Sequence, residues 1–515
     1  MRHRITARAA SDAVAPRIDT DPTLLSSFLS DAAHVGGGYA SGIAFPKTER
    51  DVSALVKRST HILPIGAQSS LTGGATPRGE TILSTRALTS IGQPSGDLVR
   101  VGAGVPLIDL QAHLASCQLW YPPVPTFEGA FVGGTISTNA AGAATFKYGS
   151  TRPWVHGLTV VLASGELLDI VRGEVCASSD GWFEIEAASG TVTRVPVPRY
   201  TMAAVAKLSA GYYARPAMDL VDLFIGSEGT LGVVVEATLR VIARPQRALA
   251  LVSCENDAQA IAVTAALRDA AQHAWARRGP LDIAAIEYID AHAVRMLPDE
   301  AFARAGIVRP RHSSATLLLV QIELSNDTEI DAAFAGFESI LEHAAVTVDP
   351  LVAPPGDDRT AQRLIELREA VPVAVNARIA AAKRTNAAIE KTAGDMIVPF
   401  ERIADSLDLY RTAFERRGLE YAVWGHFSDG NLHPNVIPRN IDDVERGREA
   451  LLEIAGEVIR LGGAPLAEHG VGRSALKQRL LNQLYGDAGI EGMRAVKRAL
   501  DPENKLAPGV LFGRA

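Results

Sequence analysis

The sequence predicts an α+β protein of several domains, on three observations. At 515 residues the chain exceeds the roughly 250–300 residues at which one core stops growing, so about two to four domains are expected. Between residues 249 and 348 the pattern runs strand, helix, strand, strand, helix, strand, the order of a split βαβ unit in an antiparallel sheet. Before that block, short apolar strands end in stretches of Gly, Ala, Ser and Thr too poor in side chains to build core, which suits backbone held close to a ligand. These shifts divide the chain into an N-terminal segment (1–40), a domain of small-residue loops (41–246), a cap (247–420) and a C-terminal segment (421–515).

Composition narrows the function classes. Hydrophobic content of 47% and charged content of 21% fit a globular chain and exclude disordered or collagenous ones. A net charge of −7 offers no broad basic field, so no nucleic-acid partner is expected. Cys117, Cys176 and Cys254 are scattered and odd in number, which suits a reducing compartment, hence the cytoplasm, and small buried hydrophobes rather than a disulfide framework. The basic start, Arg2-His3-Arg4, lacks the apolar run of a secretory signal, and an organelle-targeting reading of it stays open. No stretch of 18 apolar residues suggests an integral membrane segment.

Taken in order, residues 19–33 read as a short helix, and 43–58 as a strand, a turn at Pro46 and a helix opening near Glu49. A brief buried strand at 62–65 leads into Gly66, Ala67, Gln68, Ser69, Ser70, Leu71, Thr72, Gly73 and Gly74. Free N–H groups at a strand end form a nest that cradles phosphate oxygens, although a plain turn has the same composition. The loop matches neither a Walker motif nor a Rossmann fingerprint. A strand at 99–104 and a helix at 106–114 precede Tyr121-Pro122-Pro123-Val124-Pro125, which enforces extended backbone. Gly133, Gly134, Ser137, Asn139 and Gly142 then punctuate a second small-residue stretch suited to close approach by something flat or long. Residues 158–162 and 167–170 form a hairpin, and Gly226-Ser227-Glu228-Gly229-Thr230-Leu231-Gly232 runs into a strand at 233–243.

In the cap, strands are expected near 283–289, 315–324 and 346–348, with helices from Asp257 and Thr328. A helix at 360–383 aligns Leu364, Leu367, Arg368, Val371 and Val375 on one face. Arginine on an apolar stripe either sends its head out to water or clamps a carboxylate through its guanidinium fork. Pro372 cannot donate to the Arg368 carbonyl, so a kink is expected beside it.

The densest set of metal-capable groups is Gly425-His426-Phe427-Ser428-Asp429-Gly430-Asn431-Leu432-His433. Asp-Gly between apolar runs predicts a hairpin with a two-residue primed turn centred between Asp429 and Gly430. That register makes His426 and His433 direct cross-strand partners, with Cβ atoms roughly 4.5–5.5 Å apart. Glu468 offers a carboxylate to complete a Zn2+ or Mn2+ site, while His469 beside it is free for acid–base work. Asn431 is either a turn residue or a contact to a substrate oxygen. Helices at 400–417, 441–461, 476–484 and 489–500 complete the chain.

Four segments together resemble the FAD-linked oxidases of the vanillyl-alcohol-oxidase fold: the loop 66–74, residues 121–142, Lys147-Tyr148-Gly149, and residues 226–232. The likeness continues through His426 and His433, Glu468-His469-Gly470, Asp501-Pro502 and Pro508-Gly509. Within that family the D-lactate and D-2-hydroxyglutarate dehydrogenases and the flavin subunit of glycolate oxidase are most similar. The resemblance implies a two-subdomain FAD-binding domain, an antiparallel-sheet substrate cap, and a C-terminal helical segment returning to the flavin. It implies FAD held by Gly66, Ala67, Gln68, Ser69, Ser70, Gly73, Gly74, Pro123, Gly133, Gly134, Ser137, Asn139, Gly142, Glu228 and Gly229. It also implies a divalent metal on His426, His433 and Glu468, His469 as general base, and a substrate carboxylate on Arg368, with Asn431 and Lys391 as further contacts. The expected reaction is oxidation of a D-2-hydroxyacid, D-lactate ahead of D-2-hydroxyglutarate or glycolate. Electrons would pass to cytochrome c, a quinone or electron-transfer flavoprotein, in a cytoplasmic or inner-membrane-peripheral homodimer. Two other classes stay open: a non-catalytic flavin-binding electron-transfer subunit, and a metal-free ether-lipid enzyme of the same fold.

The chain departs from the family's pattern at named places. Ser428 and Ala141 stand where the family has Gly, and Ala507 where it has Asn. The lysine expected at Ala475 is missing, with Lys477 nearby, and two residues are inserted between Lys391 and Asp395. Ala67-Gln68-Ser69 holds no His or Cys, so the flavin is expected to be noncovalent.

Overall fold

Capping and burial fix the first unit. Thr48 accepts from the Asp51 N–H while the Asp51 carboxylate reaches back to Thr48, a capping box that starts the Glu49–Arg58 helix and turns Val52, Leu55 and Val56 inward. That helix links Gly42–Ala44 to Ile62–Ile65, and both strands pair in parallel with Thr81–Ser84. The computed structural model describes residues 2–11, 13–324 and 330–513. A second sheet of this region is antiparallel, with Val233–Arg240 between Leu98–Gly102 and Val155–Val161, and Leu167–Val171 on the outer side.

The cap is an eight-stranded sheet. Leu351–Ala353, Gln246–Cys254, Thr316–Leu324 and Asp282–Ile289 lie side by side in the split βαβ order expected from the sequence. Its last strand falls at Leu351–Ala353 rather than 346–348, and two short helices, Ala291–Met296 and Asp299–Ala305, join its second and third strands. The expected helix start at Thr328 lies outside the described residues, and the described helix is Ile330–His343. The Asp358–Lys383 helix runs on through Pro372 with Leu364, Leu367, Val371 and Val375 buried. The last two expected helices form one run, Ala475–Leu500, broken at Gly486, whose φ of 68° no helix tolerates.

The hairpin does not stand apart from the cap. Tyr421–His426 pairs with Asp282–Ile289, and Asn431–Val436 continues the same sheet. Its register differs from the expected one. His426 faces Asn431 and His433 faces Trp424, so the pairing is centred between Ser428 and Asp429. Phe427–Asp429 forms a 3-10 turn closed by Gly430 at φ 82°, a four-residue connection in place of the two-residue turn. A shift of two positions keeps every side chain on its face, so both histidines still point the same way, now diagonally related. Glu287 and Ile289 share that face through their pairing with His426 and Trp424. Among the described residues no helix is long and apolar enough to cross a membrane.

Candidate active site

Three imidazoles converge on one carboxylate oxygen. The Nε2 atoms of His426 and His433 each lie 3.3 Å from Glu468 Oε1, and His469 Nε2 lies 3.4 Å from it. The His426 and His433 rings are 5.5 Å apart between centroids, and those of His433 and His469 5.3 Å. Glu468, His426 and His433 are all buried. Asp395, His433, Glu468 and His469 form the group whose ligand atoms lie within 4.8 Å of one another; His426 stands just outside it, joined through Glu468.

Each of these groups is held by others. Lys207, fully buried, donates from Nζ to Glu468 Oε2 at 2.9 Å and pairs with Asp429 at 3.1 Å. Asp395 Oδ2 accepts from the backbone N–H of Glu468 and of His469, and lies 3.1 Å from His469 Nδ1. Asp395 Oδ1 accepts from Asn431 Nδ2, whose second proton goes to the Met396 carbonyl. Asn431 thus keeps only its Oδ1, buried and without a hydrogen-bond partner, so it offers a substrate an acceptor and no donor. Glu287 bonds His426 Nδ1 with one oxygen and Arg368 Nε with the other, at 2.6 Å for the latter.

Burial and charge separate the two histidines of the hairpin. Burial would lower the His426 pKa, but the Glu287 and Glu468 charges outweigh it and carry it up to about 9. Burial dominates at His433 and brings it down to about 4, leaving that ring neutral with a free lone pair. Burial opposes ionisation at Glu287, Asp395 and Glu468 too. The His426 and Arg368 charges nevertheless bring Glu287 down to about 2. His469 does the same for Asp395, and Lys207 with His426 for Glu468, both held well below the usual carboxylate range. The neutral His433 ring, the ionised Glu468 carboxylate and His426, whose Nε2 proton a cation would displace, make a donor set that fits a divalent cation of borderline softness.

Glu468 and His469 also line a cleft of about 290 Å³. Its other walls include Gly66, Ala67, Gln68, Ser69, Ser70 and Gly74 from the first loop, Gly133, Gly134 and Ser137 from the second, and Glu228 and Gly229 from the third. Gly73, Pro123, Asn139 and Gly142 do not line it. The glycines divide by cause. A Cβ at Gly133 would meet the Ala103 Cβ at 2.7 Å and one at Gly142 the Val124 carbonyl at 2.2 Å, so protein packing requires both. At Gly134 a Cβ would meet nothing within 4 Å, which leaves its Cα open to the cleft. Gln68 and Glu228, both lining the cleft, hold positive φ values of 55° and 52°, strained positions at one site, and Asn139 behind the wall holds 49°. The Gln68 amide pins the Phe28 and Ser30 carbonyls, and Asn139 bonds Arg152 N and the Leu208 carbonyl, so both side chains serve the walls.

Two sequence motifs matching successive parts of the chain decide the family. The FAD binding domain matches residues 40–170, and the C-terminal domain of FAD linked oxidases matches residues 244–511, just over half of the chain. The chain belongs to the FAD-linked oxidases. Membership gives the chain an FAD-binding domain at residues 40–170, which supplies the first two of the cleft's three loops. Glycolate oxidase subunit GlcD of Bacillus subtilis (strain 168) is 29% identical over 459 residues, 88% of this chain and 84% of its own. D-2-hydroxyglutarate dehydrogenase of Xanthomonas citri pv. viticola is 29% identical, covering 96% of this chain and 94% of its own. D-lactate dehydrogenase of Anaerostipes hadrus is 27% identical, covering 89% and 86%. Among solved structures, alkyldihydroxyacetonephosphate synthase superposes with a TM-score of 0.60 at 15% identity, over 91% of this chain and 77% of its own, a likeness of fold.

Sequence reasoning missed Lys207, Glu287, Asp395 and Asp429 as site residues of this FAD-linked oxidase. A charged residue amid apolar neighbours was the available signal at Glu287, in Asp282–Ile289, whereas Lys207, between exposed Ala206 and half-buried Leu208, carried none. Lys391 is exposed, with Nζ on Asn376 Oδ1 at 3.2 Å and 6.0 Å from the Trp424 ring, and it makes no contact with the histidine cluster among the described residues. Lys477 donates to the Gly470 carbonyl at 3.3 Å, so the displaced lysine still reaches the Glu468-His469-Gly470 loop. Ser428, in place of the family's glycine, accepts the Ile286 N–H beside a strand irregularity at 283–285.

Proposed function

We propose that the chain oxidises a D-2-hydroxyacid, D-lactate first among the candidates, to its 2-oxoacid. The observation that carries this reading is the convergence of three imidazole Nε2 atoms on Glu468 at the wall of the FAD cleft. Bound FAD supplies the hydride acceptor, and a divalent cation such as Zn2+ or Mn2+ on His426, His433 and Glu468 supplies Lewis acidity toward the hydroxyl. Arg368 holds the substrate carboxylate through the Nη edge that Glu287 leaves free. His469 takes the hydroxyl proton at Nε2, its ring oriented by Asp395 at Nδ1. Asn431 Oδ1 accepts from the substrate hydroxyl or its bound water.

The loop Ala67-Gln68-Ser69 offers no nucleophile for a flavin bond, which supports noncovalent FAD. Reoxidation would fall to cytochrome c, a quinone or electron-transfer flavoprotein, from a homodimer in the cytoplasm or at the inner membrane's surface. The names of the relatives support D-2-hydroxyglutarate and glycolate as alternative substrates. Purified protein should be yellow, and anaerobic addition of D-lactate, D-2-hydroxyglutarate or glycolate should bleach it. Treatment with a chelator should abolish bleaching and spare the colour. Failure of every D-2-hydroxyacid to bleach the flavin would overturn the reading.

A further inference from the structure

We infer that Glu287 is a positioning residue with two tasks, setting the cation-binding tautomer of His426 and aiming Arg368 at the substrate, so that one carboxylate couples the metal and substrate subsites. The inference rests on the function proposed above and deepens it. Glu287 sits in Asp282–Ile289, a strand whose other residues from Ile283 to Ile289 are buried and uncharged, and it pairs across the sheet with His426. Its side chain is 8% exposed, and its two oxygens are divided between two partners.

The first oxygen takes the His426 Nδ1 proton. With the Nδ1 proton held by Glu287, the proton that a cation displaces is the one at Nε2, whose lone pair then faces Glu468, where that cation would sit. The second oxygen takes the Nε–H of Arg368, whose side chain is 11% exposed. A guanidinium has two edges for carboxylates, one through Nε and one through the paired Nη groups. With Nε engaged, the Nη groups make no hydrogen bond among the described residues and are free to take a carboxylate. The choice of acid is therefore specific. A carboxylate accepts on both sides, whereas an amide of the same shape accepts on one and donates on the other.

Glu287→Gln keeps the volume and must fail one partner whichever way its amide lies. Facing His426, its NH2 forces the proton to Nε2 or loses the bond; facing Arg368, it opposes Nε–H. One partner loses its acceptor, and the bond that stays loses the carboxylate's negative charge, so both subsites should weaken. Affinity for Zn2+, read by competition with a chromogenic chelator in the absence of substrate, should fall about 10–100-fold, the usual cost of losing the partner of a metal-bound histidine. In metal-saturated protein, KM for D-lactate should rise about tenfold or more while kcat changes less than about threefold, and the flavin spectrum should be unchanged. Two reference variants separate the tasks. Arg368→Lys should raise KM and leave Zn2+ affinity near wild type, and His426→Ala should lose Zn2+ affinity first. Glu287→Asp, one methylene shorter, spans only one partner and should restore one property without the other.

A Glu287→Gln protein with wild-type Zn2+ affinity, or with weakened Zn2+ affinity and wild-type KM, would overturn the double role. A wild-type protein that binds Zn2+ but bleaches with no D-2-hydroxyacid would instead refute the proposed substrate class, and the chelator competition would still decide the His426 half.

Discussion

The FAD cleft and the histidine cluster share a wall but are built from different material. The cleft is made of backbone: Gly66, Ala67, Ser69, Gly74 and Gly134 contribute little beyond N–H groups and open Cα positions. The cluster is made of ionisable side chains, Lys207, Glu287, Arg368, Asp395, His426, His433, Glu468 and His469, each holding another. A backbone site depends on where a Cβ fits. A side-chain site in a buried setting depends on every charge finding its partner, because an unpaired buried charge is costly. Glu228 belongs to both, lining the cleft while its carboxylate accepts the N–H groups of Val471 and Gly472, just past His469.

The contrast is sharpest where one group performs chemistry. His469→Ala should lower kcat by about 10²–10⁴-fold, the span general bases usually contribute, with the yellow colour retained. Steady-state kinetics beside an absorbance spectrum checks both halves. Next in size, Glu468→Ala leaves the fully buried Lys207 ammonium with Asp429 as its one carboxylate partner and should cost about 1–3 kcal/mol of stability, read by denaturant titration.

In the cleft the same logic turns on methyl groups. Gly142→Ala drives a Cβ to within 2.2 Å of the Val124 carbonyl and should destabilise by about 1–3 kcal/mol. Gly134→Ala meets no protein atom and should leave thermal stability of the FAD-free protein unchanged while weakening FAD binding, read by fluorescence titration. Equal effects in both assays would erase the distinction between packing glycines and cofactor glycines.

The effect that depends on pH belongs to Glu228. Burial pushes its carboxyl up to about 7, although the Val471 and Gly472 N–H bonds pull the other way. The native state therefore keeps a proton that the unfolded chain releases near its ordinary value of 4.5. Between those values the native state binds more protons, so this group's contribution to stability falls as pH rises. The stability of wild type relative to Glu228→Gln should decline from about pH 4.5 to 7 and then level off, measured by melting temperature across that range.

The two regions were also unequally legible in the sequence. Runs such as residues 66–74 and 133–142 announce a backbone site locally, because glycine and alanine in series have few other uses. The split βαβ order of the cap was readable for the same reason, each element carrying its own periodicity. Within the cluster only the hairpin, Glu468-His469 and Arg368 could be read. The two-position register shift did not scatter the histidines, because a sheet's faces repeat every second residue. Lys207, Glu287 and Asp395 come from separate segments, and only the packing of the cap sheet against the FAD-binding region joins them. Local pattern marks a residue as inward; it does not name what it meets.

The claim on which the account turns is that the buried cluster holds a cation required for substrate oxidation. Protein stripped by a chelator should be titrated with Mn2+ or Zn2+ while bound metal and the anaerobic rate of D-lactate bleaching are followed together. The account predicts that the rate returns in proportion to occupancy and saturates at one metal per chain. A full rate in metal-free protein, or saturation of the site without any return of bleaching, would contradict it.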